Sequence, residues 1–162
     1  MFRLCLALTF FISLIKIYES SVVVPFEDCG SKSTTVKQLN FDCEKGKPEP
    51  CSFLKGKTYN GRISFTTTAE VPKGVIVLHA IIGSMTLPFP FTKSDLCSDH
   101  NLTCPIASGA NEVLTIELAV PSFAPATNLL AQFEVKPSSG SKTDILCVKF
   151  LAQIKDSNDI AV

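Results

Sequence analysis

Four stretches of this chain alternate apolar and polar side chains with a period of two, and no window of about a dozen residues carries a 3.6-residue period. Tyr59, Gly61, Ile63 and Phe65 point one way and Asn60, Arg62, Ser64 and Thr66 the other. Leu114, Ile116, Leu118 and Val120 alternate with Thr115, Glu117 and Ala119. Leu129, Ala131, Phe133 and Val135 alternate with Leu130, Gln132 and Glu134, and Leu146, Val148, Phe150, Ala152 and Ile154 with Cys147, Lys149, Leu151 and Gln153. This pattern suits strands buried on one face and excludes a helical bundle. Val75–Ile82 is nearly all apolar and reads as a strand covered on both faces, and "TVKQLNF" before Cys43 as a shorter one. Turn signals in "VPKG", "SFAPATN" and "KPSSGS" separate these runs. The expected fold is all-β, an antiparallel β-sandwich of six to seven strands, with a barrel as the less favoured closure.

Residues 1–20 have the order of a secretory signal peptide: Arg3, an apolar run from Leu4 to Ile15, then small and polar residues. Lys16 stops the run at about a dozen residues, short of the roughly 20 that a spanning helix needs. Cleavage near Ser20 or Ser21 leaves residues 21–162 as a single domain with an extracellular or luminal destination. Fifteen Lys and Arg balance fifteen Asp and Glu over the whole chain, and loss of Arg3, Lys16 and Glu19 with the leader leaves a charge near minus one. The charges are interspersed and form no basic stripe, so no nucleic-acid partner is expected.

Of the seven cysteines, Cys5 falls in the leader, so an even number remains in an oxidising compartment and disulfides follow. Cys43 and Cys51 flank "EKGKPEP", and Cys97 and Cys104 flank "SDHNLT", so each pair closes a short loop. Cys29 and Cys147 then tie the start of the domain to its last strand. No CxxC spacing occurs, and the only histidines are His79 in an apolar run and His100 in the small loop, so no metal site is expected. Asn101-Leu102-Thr103 is a glycosylation sequon within that loop. Catalysis lacks its parts: there is no GxSxG, no phosphate-cradling glycine loop and no base placed beside a nucleophile, so neither enzyme nor cofactor is expected.

"GSMTLPFPF", from Gly83 to Phe91, sets a Met, a Leu and two Phe around two prolines that keep it from being a central strand. Apolar residues in a surface segment plug a core, meet a partner, or frame an opening.

This segment, together with "FEDCGS" at Phe26–Ser31, "PCSFLKGKTY" at Pro50–Tyr59 and "CSDHNLTCPI" at Cys97–Ile106, resembles the Niemann-Pick type C-2 family of secreted lipid carriers. These carriers have the MD-2-related lipid-recognition (ML) domain, and the resemblance spans roughly Val22 to Ile154 with the six cysteines in register. It implies an immunoglobulin-like sandwich whose sheets splay around a sterol or fatty-acid-like lipid, with the three disulfides above. It also implies that Leu87 and Phe89 border the mouth, opposite Val120 and the "PSFAP" turn, where Phe123 and Ala124 share the family's aromatic position. Tyr59, Gly61, Leu118, Pro125, Ala131 and Phe133 match positions that face the tunnel. The chain has no Trp; Phe133 and Val148 stand where vertebrate members carry tryptophan, and Gly61 replaces a branched residue, which implies a roomier cavity. The implied function is sterol binding and transport by a secreted, possibly lysosomal, monomer. It would make transient contact with a membrane or a membrane sterol-accepting protein. The alternative is presentation of a lipid to a receptor in innate immunity.

Overall fold

A computed structural model describes residues 21–45 and 50–158; the leader expected at 1–20 lies outside the described residues. Within them the chain forms eleven strands and no helix long and apolar enough to cross a membrane. Six are long and fall on the stretches singled out by the sequence: β3 (Thr34–Phe41), β6 (Thr58–Thr67), β7 (Val75–Ile82), β9 (Asn111–Ala119), β10 (Thr127–Lys136) and β11 (Leu146–Lys155). The remainder are short: β1 (Val22–Val23), β2 (Glu27–Asp28), β4 (Glu44–Lys45), β5 (Cys51–Leu54) and β8 (Met85–Pro88). Two sheets result, one in the order β1-β3-β6-β9 and the other β4-β5-β11-β10-β7-β8, with β2 added to β11.

The alternation holds residue by residue. Tyr59, Gly61, Ile63 and Phe65 are buried on β6, as are Leu114, Ile116 and Leu118 on β9 and Leu129, Ala131, Phe133 and Val135 on β10. These faces, with Leu146, Val148, Phe150, Ala152 and Ile154 of β11, meet in one core between the sheets.

Four details differ from the sequence reading. The six to seven strands become eleven because short segments pair at the sheet margins, where two residues suffice for a ladder step. Among the described strands the pairing is antiparallel except that β5 runs parallel to β11, Cys51 opposite Ala152 and Leu54 opposite Lys155. β7 is not covered on both faces: Ile76 and Leu78 are buried, whereas Val75, Val77, His79 and Ile81 are only half-covered on the outer side. The segment read as an apolar loop begins as a strand, because Gly83-Ser84 makes a two-residue hairpin turn from β7 to β8, with Gly83 at φ 60°. Pro88 ends the strand at the sheet edge, where its missing N–H costs no ladder bond.

The disulfides join Cys29 to Cys147, Cys43 to Cys51 and Cys97 to Cys104, the pairing expected from the spacing. On the outer face of the larger sheet, Glu134 is buried and accepts from His79 Nδ1 at 2.6 Å and Lys136 Nζ at 2.9 Å, and Lys136 also reaches Asp144 at 2.6 Å. His79 is thus a strand residue with a structural partner, tying β7 to β10. Glu134, Asp144 and Cys147 lie close enough together to suggest a cation site, but Cys147 is bridged and the Lys136 ammonium already sits on both carboxylates.

Burial opposes the charge on Glu134, and the hydrogen bonds from Lys136 and His79 outweigh it, holding the carboxyl below the usual range. A carboxyl lowered on folding adds stability that is complete above its unfolded value, about 4.3, and disappears as pH falls through the lower folded value. Acid titration of the melting temperature should therefore fall more steeply below about pH 4 for the parent than for Glu134→Gln, and parallel curves would contradict this role.

Candidate functional site

An apolar cavity lies between the sheets, reaching from β3 and β5 on one side to β7 and β9 on the other. Its floor on the larger sheet contains three small residues, Ala80 on β7, Ala131 on β10 and Ala152 on β11, with Ala131 directly opposite Ala80 in the ladder. Where a core position holds Ala, the facing side chains do not reach far enough to close the gap. The facing wall is Ile63 of β6 with Ile116 and Leu118 of β9, and the wall presents almost no polar atoms. The lumen is narrow, with a cavity volume of about 40 Å³. A lipid larger than a few waters enters only if wall side chains turn or the sheets part.

The β3–β5 side is closed by aromatic rings. Phe41 meets Phe53 edge-on at 5.5 Å and Phe150 at 5.4 Å, and Phe53 meets Tyr59 edge-on at 4.9 Å. The opposite side is closed by Phe89, half-buried, whose N–H donates to the Leu78 carbonyl at 2.8 Å just beyond the end of β8. Val120 is fixed from β9 by two bonds to the turn before β6: its N–H donates to the Lys57 carbonyl at 2.9 Å, and its carbonyl accepts the Gly56 N–H at 2.8 Å.

Of the ten positions singled out from the sequence, Phe89, Leu118, Val120, Ala131 and Phe133 line the cavity. Tyr59, Gly61, Leu87, Phe123 and Pro125 stand outside its wall, for three different reasons. Tyr59 is buried behind Phe53, and its hydroxyl accepts the Leu54 N–H at 2.7 Å. Burial pushes that hydroxyl up, so it stays neutral. Gly61 lies under the Phe41 ring, where a Cβ would come within 2.4 Å of Phe41 Cε1. The space that a glycine at 61 frees is filled by Phe41, so it does not enlarge the cavity. Leu87, Phe123 and Pro125 are exposed, Phe123 by 83 %, while its neighbour Ala124 is buried.

The chain matches the model of the ML domain over residues 23–154. It belongs to the ML domain family. Among curated relatives of this ML domain, the "NPC intracellular cholesterol transporter 2" of Danio rerio is 29% identical over 137 residues, covering 85% of the chain and 89% of the relative. A homologue of that transporter in Drosophila melanogaster is 29% identical over 131 residues, with 80% and 86% covered. The "Ecdysteroid-regulated 16 kDa protein" of Manduca sexta is 27% identical over 145 residues, with 90% and 98% covered. A solved structure of a Niemann-Pick type C2 protein from Japanese carpenter ant superposes with a TM-score of 0.72 at 25% identity, covering 81% of this chain and 99% of that one. The ML domain fold is the two-sheet sandwich described above.

The resemblance transfers only a few positions, so sequence reasoning missed much of the wall: Leu39, Phe41, Phe53, Leu78, Ala80 and Phe150 among others. The signal that locates most of them was available. They sit on the inward parity of strands already recognised, and the three alanines mark where that parity leaves room.

Proposed function

We propose that this protein is a carrier that holds one sterol, or a lipid of similar shape, between its two sheets and delivers it to a membrane or a membrane acceptor. The observation that carries the reading is a cavity in the sandwich core whose wall is apolar but for His79 and whose one half-buried phenylalanine, Phe89, stands at the outer side. Such a wall recognises shape and grease, and its one histidine, His79, is engaged by Glu134 at 2.6 Å, which suits transport. The cholesterol-transporter names of the relatives agree with a sterol cargo. Burying about 400 Å² of apolar ligand at about 25 cal/mol per Å² yields roughly 10 kcal/mol gross, enough after association costs for micromolar or tighter binding.

In this reading Phe89, Leu118, Val120, Ala131 and Phe133 touch the lipid. Exposed Leu87 and Phe123 then form an apolar rim that meets the membrane briefly, since the near-neutral chain has little electrostatic pull of its own. The protein works as a monomer in an extracellular or lysosomal compartment after loss of its leader, with the exposed Asn101 glycosylated.

Phe89→Asp tests the reading. A carboxylate on an apolar path must be desolvated as lipid passes, so sterol affinity should fall by about a hundredfold while the melting temperature stays near the parent's. Ser64→Asp, on the outward side of β6, should change neither. A Phe89→Asp protein that melts early would make Phe89 a core plug, and one that binds sterol normally would remove it from the site.

A further inference from the structure

His100 is almost completely buried, 1% exposed, in the loop closed by Cys97 and Cys104. Both of its ring nitrogens face backbone carbonyl oxygens at hydrogen-bond distance, Nδ1 at 2.7 Å from Thr115 O and Nε2 at 2.8 Å from Lys93 O. A carbonyl only accepts, and a neutral imidazole has one N–H, so a neutral ring would set a nitrogen lone pair against an oxygen lone pair. Only the imidazolium donates to both.

The two carbonyls belong to different parts of the fold, one to a strand and one to the loop that follows β8. Thr115 lies on β9, the free edge of the smaller sheet, and its N–H in turn donates to the His100 carbonyl at 3.2 Å, so the loop residue takes the place of a missing strand neighbour. Lys93 ends the segment that leaves β8 and carries Phe89 and Phe91. The Phe91 ring stacks on His100 at 6.0 Å and meets Phe133, a wall residue of the cavity, edge-on at 6.5 Å. The ring thus sits between the fixed edge of β9 and the segment that bears Phe89.

We infer that His100 is held as an imidazolium and is the positioning residue of the cavity mouth, clamping the 89–93 segment to β9 through both ring nitrogens. This rests on the lipid-carrier reading of the cavity. The charged groups on the elements packed around it are Lys93, Asp95 and Asp99 on its own side, Glu117 on β9, and Arg62, which stands opposite Thr115 on β6. Lys93 and Glu117 pair at 3.1 Å, and Asp95 accepts the Cys97 N–H at 2.8 Å, so these three are engaged with other partners, and both ring nitrogens of His100 face carbonyls. The carbonyls, not a carboxylate, therefore hold the positive ring. When the ring loses a proton, one of the two bonds becomes a repulsion, and the mouth segment loosens. Lipid exchange is slow while the clamp is complete and faster once it is broken.

The test uses the full secreted protein, ¹⁵N-labelled, with dehydroergosterol as the probe. At about pH 5 the ring-nitrogen signals of His100 should show two protonated nitrogens, and dehydroergosterol release should be about tenfold faster at about pH 8 than at about pH 5. His100→Gln should release quickly at both pH values, abolishing the ratio, and His79→Gln should keep it, which separates the two histidines of the chain. Should His100→Gln fail to fold, Phe91→Leu, which removes the stack and leaves the carbonyl bonds, should raise release at low pH. A bare ring nitrogen on His100 at about pH 5, or a pH ratio that survives in His100→Gln, would overturn the clamp. A parent that takes up no dehydroergosterol at either pH contradicts the carrier reading and the exchange role with it, while the ring signals still decide the clamp.

Discussion

Replacing Cys29 and Cys147 together by alanine should destabilise the domain by about 5 kcal/mol, against about 2.5 kcal/mol for either of the other bridges. The Cys29–Cys147 link spans a sequence separation of 118, whereas Cys43–Cys51 and Cys97–Cys104 span 8 and 7. In the loop-entropy account the unfolded chain gains most freedom when the longest loop is released. The folded state reinforces the order. β2 reaches β11 through two residues only, and the Cys29 N–H donates to the Cys147 carbonyl at 3.0 Å beside the bridge. The stretch after the bridge keeps its own bonds, Lys32 and Ser33 N–H donating to the Asp144 and Ile145 carbonyls at 3.0 and 3.2 Å, so the two-residue β2 pairing is the part that leans on the covalent tie. Denaturant midpoints of the three double-alanine proteins check the order, and a Cys97/Cys104 variant that is the least stable would contradict it.

Much of this molecule can be read from its sequence because its strands are half-buried. Alternation on β6, β9, β10 and β11 assigns an inward or outward face to nearly every residue, and burial follows that assignment. What alternation cannot supply is the partner across a sheet. Cys51–Leu54 is buried at all four positions and runs parallel to β11, and no local pattern distinguishes it from a turn leading into β6. β7 misleads for the opposite reason: its outer residues are apolar yet only half-covered, since the sheet has no further layer there. In the site, Gly61 shows the limit most clearly. A small residue at an inward position suggests open space, but the neighbouring strand supplies Phe41, whose ring lies on the glycine. The real space is set by Ala80, Ala131 and Ala152, which come together only through the register of β7, β10 and β11.

That register makes Ala131 the position where a small change should have the largest effect on binding. Ala131→Leu adds three carbons to the floor of a lumen with about 40 Å³ of open space, between Ala80 and Phe150 in the ladder. Filling an apolar void restores dispersion contacts, so stability should hold or rise slightly, with overpacking held in check by the adjacent space. The lipid loses the same volume. Sterol affinity should drop by at least about a hundredfold, because the added side chain must be expelled from the place that the ligand occupies.

Native mass spectrometry of the parent and of Ala131→Leu after incubation with cholesterol therefore addresses the cavity directly. One sterol per parent chain and none on the variant, with matching melting temperatures, is the expected result. A parent that stays unliganded with both cholesterol and cis-parinaric acid, or a variant that binds as the parent does, would show that the space between the sheets is packing and not a lipid site.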